Sequence, residues 1–158
     1  MHRNNLIAWV LTAFFIALIP TVGATQTDKV KTSMAALQAE TAKLGAPKVQ
    51  GSDLYFGSTK ASNDLVDAVK KEHHGAATLF VKSGEQYVRA ATTVKKEDGT
   101  NAVGTALDAK SPALAKLNSG EAYYGEATVF GKTYDAGYEP IKDASGAVIG
   151  AYFVGYKK

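Results

Sequence analysis

The chain has 158 residues with 18 basic and 15 acidic side chains, and a net charge of +3 is too small for a nucleic-acid-binding surface. The chain contains no cysteine, which excludes disulfides, thiolate metal sites and cysteine nucleophiles. A chain of this length can still bury one sufficient hydrophobic core.

The N-terminus has the pattern of an export signal. Arg3 gives a positive start, an apolar run follows at 6–19, and the small residue Ala24 fits the end of a cleavage site. The apolar run is shorter than the roughly 20 residues that a membrane span needs. We therefore predict a signal peptide at 1–24 and a single domain at 25–158, periplasmic or secreted, or tethered to the membrane by its N-terminus if cleavage does not occur.

Two helices are predicted before the middle of the chain. The segment 28–44 lacks Gly and Pro, has apolar residues at helical spacing, and ends at Gly45. A second amphipathic helix is predicted at 62–72, and Gly75 ends it. Between the helices, the apolar segment 54–56 predicts a short strand or a packed loop.

The second half of the chain consists of short β-rich runs separated by turn residues. Five strands are predicted, at 77–84, 85–94, 121–130, 132–141 and 147–156. Tight turns join neighbouring runs, which favours an antiparallel sheet and an α+β fold. The connection 95–120 is longer and contains a short helix after Ser111-Pro112, so it is the expected place for a lid over a binding site.

Three segments carry a family resemblance: LYFG at 54–57, the stretch from GAATLFVKSG to GTALD at 75–108, and SGEAYYGEATVF to FVGY at 119–156. Together they resemble the extracytoplasmic Cache sensor domain of bacterial chemoreceptors, in particular the single-Cache, Cache 3/Cache 2 fusion type. The resemblance implies a PAS-like antiparallel sheet of five to six strands, a long N-terminal helix with a second helix packed on it, and a small-molecule pocket between the sheet and its capping loops.

The resemblance also implies a function. Chemoreceptors of this type continue into a second membrane helix and cytoplasmic signalling modules, whereas this sequence ends at Lys158. We expect a stand-alone sensory domain for signal transduction or chemotaxis that binds an organic acid or amino acid and works with a membrane receptor or as a homodimer. The alternative is an interaction module without its own ligand, which docks on a receptor or dimerises through the N-terminal helix.

Arg89 is the first candidate for a ligand-binding residue. Strand alternation places it on one face with Tyr87, Ala91 and Thr93, and its planar fork suits a carboxylate. The competing interpretation is an exposed or internally paired arginine. Thr93 and Lys95 follow where this strand leaves the sheet, so they are candidates to close over a ligand bound by Arg89.

Tyrosines are the second group of candidates. Tyr134 and Tyr138 share a strand face with the small Ala136 between them, a pair that either flanks a short ligand or packs in the core. Tyr124 is a weaker candidate, because its neighbour Tyr123 lies on the opposite face and one of the two is expected in the core.

Catalysis and cofactors find no support in the sequence. Hydrolase, zinc-protease and phosphate-loop motifs are absent, so we expect no enzyme and no cofactor. His73 and His74 are adjacent near the end of a predicted helix, where they cannot easily share one metal ion, and we expect no metal site. A haem or metal site built from these histidines across a dimer remains a third alternative.

Overall fold

The structure is a computed structural model that describes residues 25–158, so the predicted signal peptide at 1–24 lies outside the described residues. It contains three helices, α1 Gln26–Ala42, α2 Asn63–His73 and α3 Pro112–Asn118. The two long predicted helices and the short one after Ser111 are confirmed. None of the helices within 25–158 is long and apolar enough to cross a membrane.

The strands form two antiparallel sheets. Strands β1 Pro47–Gln50, β2 Asp53–Phe56 and β3 Thr59–Lys60 build a small sheet in that order. The main sheet has the order β5-β4-β8-β7-β6 and consists of β4 Ala76–Ser83, β5 Gln86–Thr92, β6 Tyr123–Val129, β7 Lys132–Lys142 and β8 Val148–Lys157. The expected α+β fold with a PAS-like antiparallel sheet is confirmed. The small sheet is an addition to the prediction, which gave only β2 as a strand or packed loop.

The long helix α1 starts at a capping box. The Thr25 hydroxyl accepts a hydrogen bond from the Asp28 backbone amide at 3.2 Å, and the Thr25 amide donates to the Asp28 carboxylate at 3.0 Å. Because the apolar residues of α1 recur at helical spacing, one face of the helix packs on the main sheet. The buried residues of this face are Val30, Ser33, Met34, Leu37 and Thr41.

The main sheet separates two clusters of buried side chains. The helix-side cluster lies between the sheet, α1, α2 and the small sheet, and includes Leu37, Phe56, Val66, Leu79, Ala91 and Val154. The loop-side cluster lies between the opposite face of the sheet, α3 and the 95–120 connection, and includes Phe80, Tyr87, Leu107, Leu117, Tyr134, Tyr138 and Phe153. Both faces of the sheet are therefore covered, and the loop-side face is the one that the long connection closes.

A β-bulge in β5 changes which residues share a face. Leu79 pairs with Ala91 and Phe80 pairs with Arg89, so Ala90 has no partner of its own on β4. Ala91 consequently packs in the helix-side cluster, while Tyr87 stays in the loop-side cluster. The prediction that Ala91 shares a face with Tyr87 and Arg89 is therefore wrong. The extra residue in the bulge reverses the alternation after Arg89.

Candidate functional site

A cavity of about 300 Å³ lies at the loop-side face of the sheet, next to β5. Its walls are Arg89, residues 106–108 of the long connection, and residues 128–131 at the tip of the β6–β7 hairpin. Arg89 is the only one of these residues that the sequence singled out. The cavity is at the small end of the size range of small-molecule sites.

Arg89 occupies this cavity as a buried cation between two aromatic rings. Only 4% of the residue is exposed. The guanidinium carbon lies 5.1 Å from the centroid of the Phe80 ring and 5.1 Å from that of the Phe130 ring. Aromatic faces attract a cation, and the attraction is stronger where water is excluded. The two rings therefore stabilise the guanidinium group at this position.

The hydrogen bonds of Arg89 use one nitrogen. Nη1 donates to the Thr105 hydroxyl at 3.0 Å and to the Ala106 carbonyl at 2.8 Å. Nε is buried and finds no acceptor among the described residues, and no protein acceptor for Nη2 occurs there either. The edge of the fork that binds carboxylates side-on therefore makes no hydrogen bond to the described residues, although Nε is covered by them.

Within residues 25–158, Arg89 forms no ion pair with an acidic side chain. Burial lowers the pKa of the guanidinium from its ordinary value, yet an arginine keeps its charge in proteins. A buried charge without a counter-charge is costly, and an anionic ligand would remove that cost.

Backbone pairing with β5 brings the long connection to Arg89. The Arg89 amide donates to the Thr105 carbonyl at 2.9 Å, the Gly104 amide donates to the Arg89 carbonyl at 2.8 Å, and the Leu107 amide donates to the Tyr87 carbonyl at 2.7 Å. Residues 104–107 thereby cover the edge of the main sheet. This arrangement carries the exposed carboxylate of Asp108 to the cavity wall.

The opposite wall is a two-residue hairpin loop, Phe130-Gly131, between β6 and β7. Phe130 has a φ of +46°, which is unfavourable for a residue with a side chain, and Gly131 has a φ of +72°. Two-residue hairpin turns favour positive φ values because their twist matches that of the flanking strands. This turn places the Phe130 ring beside Arg89.

Tyr134 and Tyr138 do share the loop-side face with Ala136, as the alternation indicates. The space between them is filled, however, because the Phe153 ring lies 6.2 Å from the Tyr134 ring and 4.8 Å from the Tyr138 ring. These tyrosines therefore do not flank an open gap. Burial raises the pKa of Tyr138, and the positive charge of Arg89 opposes that rise.

Apart from Arg89, none of the predicted residues lines the Arg89 cavity. Tyr138 is buried in the loop-side cluster, and its ring centroid lies 6.5 Å from that of Phe80, the ring that Arg89 also contacts. Thr93, Lys95 and Tyr134 line a separate groove. Tyr124 lies under α1 on the helix side, where its hydroxyl donates to the Glu139 carboxylate.

The sequence analysis missed three groups around Arg89: the Thr105 hydroxyl, which bonds the guanidinium, and the Asp108 carboxylate and Phe130 ring, which lie in the cavity wall. The first two lie in the connection that was predicted to be a lid, although nothing in their spacing marked them. Phe130 precedes a glycine between two predicted strands, which is a hairpin-turn signal. Within the described part of the chain, no group of three or more His, Cys, Asp or Glu residues is placed to hold a metal ion.

Comparison with known proteins places this sequence in a family. The family model for the Cache 3/Cache 2 fusion domain matches residues 20–158. Among solved structures, the sensor domain of E. coli DcuS is similar at 15% sequence identity, covering 82% of this chain and 89% of that one, with a TM-score of 0.49. No curated protein sequence matches.

Proposed function

Because the chain belongs to the Cache 3/Cache 2 fusion family of sensor domains, we propose that it works as a sensory domain that binds a small anionic metabolite, a short carboxylate or an amino acid. In this proposal the ligand carboxylate takes the free edge of the Arg89 fork in the loop-side cavity. The single observation that carries the proposal is the burial of Arg89 without an acidic partner among the described residues.

Ligand size and charge follow from the walls of the cavity. About 300 Å³ suits a molecule of a few carbon atoms. Asp108 on the wall offers a carboxylate to a ligand ammonium group, and it would repel a second ligand carboxylate brought close to it. The pair of Arg89 and Asp108 therefore favours a short amino acid over a short dicarboxylate of the same length.

Ligand entry requires a movement of the cavity walls. Nε of Arg89 is covered in this structure, so either the connection at 104–108 or the hairpin at 130–131 must open first. A ligand that binds the closed arrangement better than the open one shifts the equilibrium between them. This shift is the sensory event in the proposal.

Strand β7 connects the cavity side with α1. Tyr138 belongs to the loop-side cluster beneath Arg89, whereas the next residue, Glu139, accepts a hydrogen bond from Gln38 of α1 at 2.6 Å. A shift of β7 on ligand binding would therefore reach α1 directly. We propose that α1 passes the signal to a membrane receptor or to a second copy of the chain.

The location is part of the same proposal. Cache domains are extracytoplasmic sensors, which fits the export signal predicted at 1–24 and a sensory domain at 25–158, periplasmic, secreted or tethered at the N-terminus. N-terminal sequencing of the exported protein tests the cleavage after Ala24.

The alternative of a ligand-free docking module has less support. The apolar side chains of α1 are buried against its own domain. The exposed large hydrophobic residues of the described chain are Val49 and Val103, neither of which is in α1. A helix that docks on a receptor is expected to keep an exposed apolar stripe.

Thermal unfolding of the purified protein against a panel of short carboxylates, dicarboxylates, amino acids and amines tests the proposal. A ligand at 100 times its Kd adds about 2.7 kcal/mol, which raises the midpoint by several degrees. Arg89→Lys keeps the charge but removes the side-on edge, so it should lose most of the shift. If no anion shifts the midpoint, or if Arg89→Lys retains the full shift, the proposal fails.

Asp108→Asn tests the choice between ligand classes. The substitution removes the negative charge and keeps the shape, so we expect amino-acid affinity to fall about tenfold and dicarboxylate affinity to rise. Asp98→Asn is the matched control, because Asp98 lies in the exposed 96–100 turn. Its carboxylate accepts hydrogen bonds there from the amide and the hydroxyl of Thr100. If Asp108→Asn leaves the ligand preference unchanged, Asp108 does not select the ligand class, and only the role of Arg89 remains.

A further inference from the structure

A second groove of about 230 Å³ gathers four lysines from four segments of the chain. We call it the basic groove. Its lysines come from the end of α2, the residue after Val94, the start of β7 and the end of β8; they are Lys70, Lys95, Lys132 and Lys157. Between them the surface is formed by His74, Thr93, Tyr134 and small residues of β4 and β8. It is distinct from the Arg89 cavity, with which it shares no lining residue.

The charge of the basic groove is not neutralised within the described part of the chain. No Asp or Glu lines it, and none of its four lysines takes part in an ion pair between residues 25–158. Lys158, which follows Lys157 in the chain, is by contrast paired, with Glu126 at 2.7 Å and with Asp135 at 3.2 Å. Four like charges around one concave surface create a site of high positive potential.

Tyr134 adds a hydrogen-bond donor to the basic groove. Only 8% of this residue is exposed, it lines the groove, and its hydroxyl makes no hydrogen bond to another described residue. Burial raises the pKa of this phenol, so the hydroxyl stays a donor at neutral pH. The hydroxyl oxygen is not one of the buried unpaired atoms of residues 25–158, so it is open to the solvent of the groove. An anion held by the lysines can therefore accept a hydrogen bond from it.

We propose that the basic groove binds a phosphate group, with the lysine ammonium groups neutralising its charge and the Tyr134 hydroxyl donating to one of its oxygens. Lysine acts as a point charge that suits a multiply charged oxyanion, whereas the planar fork of Arg89 suits a carboxylate. Four positive charges exceed what one carboxylate neutralises, which favours a phosphomonoester, a diphosphate or the phosphate of a lipid headgroup. The inference does not depend on the function proposed for the Arg89 cavity.

Calorimetric titration of the purified protein with inorganic diphosphate is the direct test. The double variant Lys95→Ala/Lys157→Ala should bind about tenfold more weakly, since each exposed charge contributes a modest amount. The control Lys48→Ala/Lys142→Ala removes the same charge from lysines outside the groove. Equal losses in the two double variants would show a general charge effect and overturn the site.

The variant Tyr134→Phe distinguishes a specific phosphate site from non-specific attraction by surface charge. It removes one hydroxyl and no charge, so diphosphate affinity should fall severalfold while the salt dependence of binding stays the same. Because the ring remains, the core packing against Phe153 is preserved, and circular dichroism checks it. Unchanged affinity in Tyr134→Phe would overturn the role given to the hydroxyl.

Vesicles distinguish the source of the phosphate. Cosedimentation with phosphatidylglycerol vesicles, compared with phosphatidylcholine vesicles, reports binding to lipid phosphate, and the same double variants apply. Diphosphate binding without vesicle binding identifies a soluble phosphate compound, and vesicle binding that the groove variant abolishes identifies a headgroup. If neither probe binds, the inference is wrong, whatever the carboxylate panel shows for Arg89.

Discussion

The ring of Phe130 lies 5.1 Å from the guanidinium carbon of Arg89, while the Phe130 backbone has a φ of +46°. Glycine adopts this conformation without the cost of about 1–2 kcal/mol that other residues carry. Phe130→Gly and Phe130→Ala both delete the ring, but only glycine relieves the backbone. We expect the glycine variant to be about 1 kcal/mol more stable than the alanine variant in urea unfolding.

Both Phe130 variants should weaken ligand binding to a similar extent, because both remove the same wall of the Arg89 cavity. Equal stability of the two variants would show that the backbone is not strained. Full ligand affinity in either variant would show that the ring does not hold Arg89 for binding.

Arg89→Met should cost little stability in the absence of ligand. Methionine fills a similar volume, and the acceptors that lose their donor keep other partners, since the Thr105 hydroxyl also bonds the Ala102 carbonyl at 2.5 Å and Ala106 is exposed to water. We expect a change within about 1 kcal/mol, measured by urea unfolding, whereas breaking a buried ion pair costs about 3–5 kcal/mol. A loss in that higher range would identify Arg89 as a structural residue.

Gly137→Ala should destabilise the contact between β7 and α1. A Cβ at this position would lie 2.8 Å from Val30 Cγ1 of α1 and 2.6 Å from Tyr124 Cε1. We expect a loss of about 1–3 kcal/mol, because overpacking forces both side chains to move. Gly125→Ala on β6 is the matched control, since the atoms nearest to its Cβ, at 2.8 and 3.0 Å, belong to the end of the Tyr123 side chain and not to α1. Equal losses in the two variants would contradict the tight packing of α1 on β7.

Alkaline pH should unfold the protein through its buried tyrosines. Burial raises the pKa of several phenols: Tyr87, Tyr124, Tyr134, Tyr138 and Tyr152. Above the ordinary tyrosine pKa of about 10, the unfolded chain releases protons that the folded chain keeps, so the unfolding free energy falls by about 1.4 kcal/mol per pH unit for each such phenol. Stability from these groups is complete below pH ~10.

The variant Tyr152→Phe tests the predicted fall of the unfolding free energy at alkaline pH. Tyr152 bonds the Thr41 hydroxyl at 3.1 Å, and its removal should make the fall of the unfolding free energy with pH less steep. Phenolate absorbance should appear together with the loss of circular dichroism. Phenolate formation in the folded protein, well before unfolding, would contradict the prediction.

Local sequence pattern determined the elements of this fold. The helix at 28–44 was predicted from spacing and its Gly45 stop, and it forms as Gln26–Ala42. The strands of the main sheet followed from short β-rich runs and their turns, because hairpin pairing depends on neighbouring residues. The small sheet was missed, since β1 and β3 are short and mostly exposed and give no alternating pattern.

Only the tertiary structure decided which candidates share a site. The bulge at Ala90 reversed the alternation of β5, and Phe153, which is distant in sequence, filled the space between Tyr134 and Tyr138. Asp108 reached Arg89 through backbone pairing of the long connection with β5. Sequence periodicity indicates which face of its own strand a residue lies on. A cavity, however, depends on contacts between segments that are distant in sequence. The sequence therefore identified Arg89 but not the residues that surround it.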